Sequence, residues 1–112
     1  MIKDLLGRAA ESPRKRVSFN IHPKLSDPVN RFLNIGLPGT YVRPHRHRVD
    51  KWELVNLIQG QLDVAIFTID GRLKQRHALG ADNASLVEIS GGEWHTFIFR
   101  APAAVVLEVK PG

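Results

Sequence analysis

The residues of this sequence whose types and spacing could do chemistry lie mostly between Gly39 and Gly60, with one more far downstream. His45 and His47 stand two positions apart. Strand side chains alternate between faces, so that spacing puts both imidazoles on the same face. Glu53 follows shortly after, which sets three metal-capable side chains on neighbouring strands. Imidazole and carboxylate together form a mixed nitrogen and oxygen donor set suited to Zn, Fe, Mn, Ni or Cu. His95, which follows a Gly-rich turn at Gly91-Gly92 with Glu93 and Trp94 between, is a fourth candidate ligand. The pattern implies a metal site and leaves the substrate blank.

Each of these residues also has a plainer reading. His45 and His47 sit among Arg43, Arg46 and Arg48, as solvated histidines of a basic loop would. Glu53 fits an ion pair with a nearby Arg or Lys, and His95 fits a core histidine bonded to a carbonyl. Arg43 shares parity with His45 and His47, and a guanidinium facing the same cavity can clamp a phosphate or carboxylate through two parallel hydrogen bonds. Its alternative is a surface or interface salt bridge. Tyr41 has the same parity and would serve as a proton or hydrogen-bond donor. Tyr41 and Arg43 are therefore the catalytic candidates. Asn20, Asn34 and Asn56, polar residues inside strand-like runs, are candidate pocket donors. Trp52 and Trp94 flank two of the ligands and are expected to pack around the site and exclude water. His22 and His77 are read as ordinary.

The elements that must position these groups are mostly short strands. Met1 to Ala10 is expected to form a helix, with Asp4 near its start and Arg8 near its end, as the macrodipole favours. Val17 to Ile21 alternates apolar and polar residues and reads as an edge strand. Arg31 to Leu37 and Tyr41 to His47 follow, the latter interrupted by Pro44, which demotes it to an edge or bulged strand. Lys51 to Ile58 and Gln61 to Ile69 are expected to be joined by a tight reversal at Gln59-Gly60. Asp70-Gly71 is a strong hairpin signal leading into Leu73 to Leu79. Leu86 to Ile89, Trp94 to Arg100 and Ala103 to Val109 complete the set. Short strands at this spacing predict an all-β sandwich or barrel. Residues 1–28 are expected to form a helix and arm packed on the barrel of residues 29–112, within a single domain. Glu53, Val55 and Leu57 share a face, as do His95, Phe97 and Phe99, so both polar residues lie at the edge of an inward face. Phe67, Ile69, Ile98 and Val106 make the opposite face apolar too, which a single barrel wall does not require. That predicts a homodimer.

Composition narrows the classes. At 112 residues the chain is one domain, long enough for a core without staples. It has no cysteine, so disulfides, thiolate zinc sites and cysteine nucleophiles are excluded together. No stretch approaches the ~18 apolar residues of a membrane span, and the first residues carry no secretory apolar core, so a cytoplasmic protein is expected. A net charge of +5 argues for anionic company, here a small anionic molecule bound in a positively lined pocket, or merely a basic surface. Nucleic acid is disfavoured, because the run Arg14-Lys15-Arg16 is short and has no interleaved aromatics.

The residues resemble the cupin superfamily. Its first motif, Gly, five residues, His-x-His, three or four residues, Glu, six residues, Gly, is matched by Gly39, His45, His47, Glu53 and Gly60, with five residues between His47 and Glu53. Its second motif, Pro-x-Gly-x-x-His, appears as Ser90-Gly91-Gly92-Glu93-Trp94-His95, with serine in place of proline. A fuller resemblance covers most of the chain. Pro38-Gly39-Thr40-Tyr41-Val42-Arg43-Pro44-His45-Arg46-His47, Lys51-Trp52-Glu53-Leu54, Trp94-His95-Thr96 and Glu108-Val109-Lys110-Pro111-Gly112 look like the WbuC-type cupin fold metalloproteins. The resemblance implies a small jelly-roll β-barrel, a divalent transition metal (Zn, Fe, Mn or Ni) on His45, His47, Glu53 and His95, and a link to bacterial surface-polysaccharide (lipopolysaccharide) metabolism. It implies no particular reaction. An enzyme acting on a small anionic or sugar-derived molecule, a non-enzymatic small-molecule sensor, and a metal-free sugar isomerase or epimerase all fit it.

Overall fold

The architecture turns on two long strands that bend at the same place. In the computed structural model, which describes residues 1–112, the elements are α1 (Ile2–Glu11), β1 (Arg16–Asn20), β2 (Val29–Gly36), β3 (Glu53–Phe67), β4 (Leu73–Leu79), β5 (Leu86–Ile89) and β6 (Trp94–Pro111). Strands β3 and β6 pair antiparallel along nearly their whole length, and their register shifts around Leu57–Leu62. Gly60 sits at that bend, opposite Ala104, with φ +91°. A Cβ there would lie 1.9 Å from the Ala103 carbonyl oxygen, so only glycine lets the strands close up.

The bend divides the antiparallel sheet into two facing layers. One runs β1, β2, residues 104–111 of β6, the start of β3, then β5. The other runs residues 94–99 of β6, the end of β3, then β4. This is the expected all-β jelly roll with a short N-terminal helix, although the sheet does not close into a continuous barrel: β1, β4 and β5 are left as edges. Between the layers Val55, Leu62, Val64, Ile66, Phe97, Phe99 and Val106 make the main core, all but excluded from water.

Two boundaries differ from expectation. Gln59-Gly60 is not a reversal, because the partner strand continues past it and the chain bends instead of turning back. Pro102 likewise does not separate two strands; β6 runs through it. The expected strand over residues 41–47 reduces to an isolated bridge between His45 and His95.

Helix α1 explains part of the two-faced apolar pattern. Its buried Leu5 and Ala9 lie on Ile35 of β2 and Val105 of β6, forming a second small core on the outer side of the first layer. Val106 faces the main core instead of the outside, whereas Ile69 and Ile98 remain exposed, at 87% and 38%. No helix is long and apolar enough to cross a membrane.

Candidate metal centre

The four candidate ligands converge at one end of the space between the layers. One donor atom from each of His45, His47, Glu53 and His95 lies within 4.8 Å of the others. Glu53 opens β3 in one layer, and His95 is the second residue of β6 in the other. The loop histidines are brought in by backbone contacts. His45 and His95 exchange N–H···O bonds of 3.0 and 2.9 Å, and the Gly92 N–H donates to the His47 carbonyl at 3.1 Å. Gly91 permits that approach, since a Cβ on it would stand 2.1 Å from the Val49 carbonyl oxygen. The glycines before His95 therefore position His47 as well.

The hydrogen bonds fix which imidazole nitrogens are free. His45 Nδ1 meets the Arg43 carbonyl and His95 Nδ1 meets the Glu93 carbonyl, each at 2.9 Å. A carbonyl only accepts, so both Nδ1 atoms carry protons and both Nε2 atoms are left to present lone pairs. His95 Nε2 then faces Glu53 Oε2 at 3.1 Å. Two acceptors at that distance need a shared proton or a cation between them. His47 Nε2 is buried and makes no hydrogen bond, although it lies 3.4 Å from Glu53 Oε2. An orphaned buried nitrogen beside a carboxylate is what a site built for a cation leaves when described by its side chains alone. The residues present fit a divalent metal.

The electrostatics agree. Burial pushes the Glu53 carboxyl up, but the close contact with His95 Nε2, which shares a proton with it in the absence of a cation, the hydrogen bond from Glu108 and the charges of His95 and Lys110 outweigh it and hold the pKa at about 2. Burial pulls the His47 imidazole below its ordinary value; Glu53 opposes this, and the charges of Lys110, His45 and His95 add to it. Both groups are thus in ligand form at neutral pH: a carboxylate and a free imidazole.

Glu108, which sequence reasoning missed as a site residue, completes the constellation. It sits on β6 opposite Val55, shares an inward face with Val106, and is only 3% exposed. Burial pushes its carboxyl well above the ordinary range, and the hydrogen bond and charge of Glu53 push it further, against smaller opposition from Asn34 and Lys110. It therefore holds its proton and donates to Glu53. Its other partner is Asn34, whose Nδ2 donates at 2.8 Å, and Asn34 Oδ1 accepts from Ser18 Oγ at 3.1 Å. A chain of polar contacts thus runs from the edge strand to the ligands. The signal was a glutamate at inward parity in the apolar run Val105–Val109, where a carboxyl must find a partner.

Tyr41 and Arg43 are not brought into the cluster. Residues 41–47 hold no regular strand, so the parity that linked them to His45 fails at Pro44, and both are exposed. Val42 lines the cavity beside His45 instead. Of the asparagines, Asn34 faces this cavity and Asn20 and Asn56 do not line it. Trp94 stacks under Arg46, whose guanidinium carbon lies 5.1 Å from the ring centroid, and Trp52 is 38% exposed. His22 is buried against the Arg31 backbone, remote from the cluster's hydrogen bonds.

Comparison with known proteins places this geometry. No curated protein matches the sequence. Among solved structures, a cupin-2 domain protein from Rhodospirillum rubrum is 19% identical with a TM-score of 0.67, over 87% of this chain and 60% of that one. The chain thus spans less than two thirds of that protein. The cupin domain of an XRE-family transcriptional regulator from Enterobacter cloacae is 20% identical, TM-score 0.64, over 87% of this chain and 96% of that one. An oxalate oxidase in complex with the substrate analogue glycolate is 18% identical, TM-score 0.67, over 90% and 53% respectively. At these identities the likeness is one of fold. Residues 1–79 match the family described as a domain of unknown function, DUF6016. The chain belongs to the DUF6016 family and has the cupin fold.

Proposed function

We propose that this protein is a mononuclear metalloprotein that holds one divalent transition metal (Zn, Fe, Mn or Ni) on His45, His47, Glu53 and His95. It would use the metal's open positions to bind or transform a small anionic or sugar-derived molecule. The observation that carries this reading is the orphaned, buried Nε2 of His47, set among three further donors within 4.8 Å. Four protein donors leave one or two positions free on a five- or six-coordinate ion, as in sites that bind a ligand. A metal held there would supply Lewis acidity, polarising an oxygen of the bound molecule.

The chain's own residues do the rest. The Arg43 and Glu93 carbonyls orient two imidazoles. The proton on Glu108 occupies an oxygen of Glu53 and keeps that carboxylate oriented. The buried Phe97 ring lies against the His95 imidazole, centroids 5.7 Å apart, and shields that side of it from water. That an oxalate oxidase and a domain of a transcriptional regulator share this fold supports keeping both an enzymatic and a non-enzymatic, small-molecule-sensing use of such a site. The WbuC-type resemblance supports a place in surface-polysaccharide metabolism. The exposed Ile69 and Leu73 beside the β4 edge support a homodimer.

The test is elemental analysis of protein purified without a polyhistidine tag, for wild type and His47→Ala. About one metal per chain in the wild type, lost in the variant, is expected. A wild type that stays metal-free after reconstitution would sink the reading.

A further inference from the structure

The cavity on which His45 and Glu53 open has a volume of about 440 Å³, and its lining also includes Arg14, Arg16 and Lys110. None of these cations has a carboxylate oxygen within 4.0 Å, whereas Arg31, Arg48, Arg72, Lys74, Arg76 and Arg100 all do. The cavity's two carboxyl groups, the ionised Glu53 and the protonated Glu108, are engaged by His95 and Asn34. Three cations with no carboxylate in contact surround one small concave space; Lys110 acts on Glu53 at longer range, and against that single ionised carboxylate the three leave an excess of positive charge.

Their placement is built, not incidental. Lys15 takes a left-handed φ of 57°, uncommon outside glycine, and Arg14 and Arg16 on either side of it both line the cavity. The segment is tied down to the loop that leads to the metal ligands. Thr40 Oγ1 donates to the Arg14 carbonyl at 2.5 Å, the Leu37 N–H to the Lys15 carbonyl at 2.9 Å, and Arg16 Nη1 to the Tyr41 carbonyl at 3.0 Å. Across the mouth, Lys110 follows the inward parity of Val106 and Glu108. Its ammonium lies 5.3 Å from the Phe32 ring centroid, a contact that holds a cation without neutralising it.

We propose that Arg14, Arg16 and Lys110 form an anion clamp. The molecule handled here is then a small dianion, a phosphate monoester or a dicarboxylate, with its anionic group on the clamp and another oxygen at the His45 and Glu53 end. The second contact rests on the metal reading above; the clamp does not. A guanidinium presents parallel donors that match either oxyanion. The cavity is at the small end of ligand pockets, roughly 300–1,000 Å³, which selects a small molecule over a nucleic-acid strand.

Calorimetric titration with inorganic phosphate, malonate and uncharged glycerol tests this on the wild type and on Arg14→Gln, Arg16→Gln, Lys110→Gln and the control Arg72→Gln. Metal content is measured on each sample. Saturable binding of phosphate or malonate is expected, with none of glycerol. Each clamp substitution should weaken it about tenfold or more, and Arg72→Gln should leave it unchanged. The preferred anion distinguishes phosphate from carboxylate. Absence of anion binding, binding indifferent to all three clamp substitutions, or an equal loss in Arg72→Gln would overturn the clamp. A wild type without metal that still binds the anion through these residues would overturn the metal reading while upholding the clamp.

Discussion

Replacing Glu108 by glutamine is expected to leave the metal-free protein about as stable as wild type at pH 4.5 and more stable above it. The sign follows from the raised carboxyl. In the unfolded chain Glu108 releases its proton near the ordinary value of 4.5, whereas in the fold it keeps it well above that. Between those limits the unfolded state binds fewer protons, so wild-type stability falls as pH rises, by up to about 1.4 kcal/mol per pH unit. Glutamine does not titrate and lacks this loss. Its amide N–H can replace the acid proton toward Glu53, and its carbonyl can accept from Asn34. Glu108→Leu has neither group. It leaves the Asn34 amide and a Glu53 oxygen unpartnered, each costing about 1–3 kcal/mol when buried. Asn34 is only half-buried, so the total should be about 2–4 kcal/mol. The assay is urea unfolding in the presence of a chelator, from pH 4.5 to neutral, for all three proteins. His47, whose lowered pKa makes stability fall as pH drops below 6.5, contributes to each and cancels in the differences. Glu53 acts below this range: its contribution is complete above pH 4.5 and is lost as pH falls toward about 2. Parallel pH slopes for wild type and Glu108→Gln would show an ionised Glu108 and refute the reasoning. So would a glutamine variant as unstable as the leucine one.

Two glycines give further tests. Gly60→Ala puts a Cβ 1.9 Å from the Ala103 oxygen at a φ of +91°. It should cost about 3–5 kcal/mol in denaturant unfolding, and a loss under about 1 kcal/mol would mean the β3–β6 bend does not need glycine. Gly91→Ala drives a Cβ to 2.1 Å from the Val49 oxygen in an exposed loop. Metal affinity should fall about tenfold or more while metal-free stability falls less than in Gly60→Ala, and unchanged affinity would show that Gly91 does not position His47.

What was legible in advance follows the range of the interactions involved. The helix, the bounds of β4 and β5, and the four convergent side chains all came from local signals: capping charges, turn residues and period-two spacing. The hairpin at Asp70-Gly71 was legible for the same reason, and the strands on both sides of it pair as expected. At Gln59-Gly60 the same kind of signal misled. A glycine at positive φ serves a turn and a bulge equally, and only the partner strand running past it decides which forms.

Residues 45, 47, 53 and 95 were identifiable as metal-capable from type and spacing alone, because ligand chemistry is a property of side chains and short-range periodicity. Which nitrogens are free, that His47 is carried in by Gly91 and Gly92, and that Tyr41 and Arg43 stay exposed outside the cluster depend on how Pro44 and the bridge to β6 set the loop. Glu108 shows the same division. The sequence by itself determined that a carboxyl would sit in a buried strand. Only the tertiary structure, by setting it beside Glu53 and Asn34 across two strand pairings, decided that it would hold a proton. Protonation is an energy of the assembled surroundings, and those come from residues more than fifty positions apart.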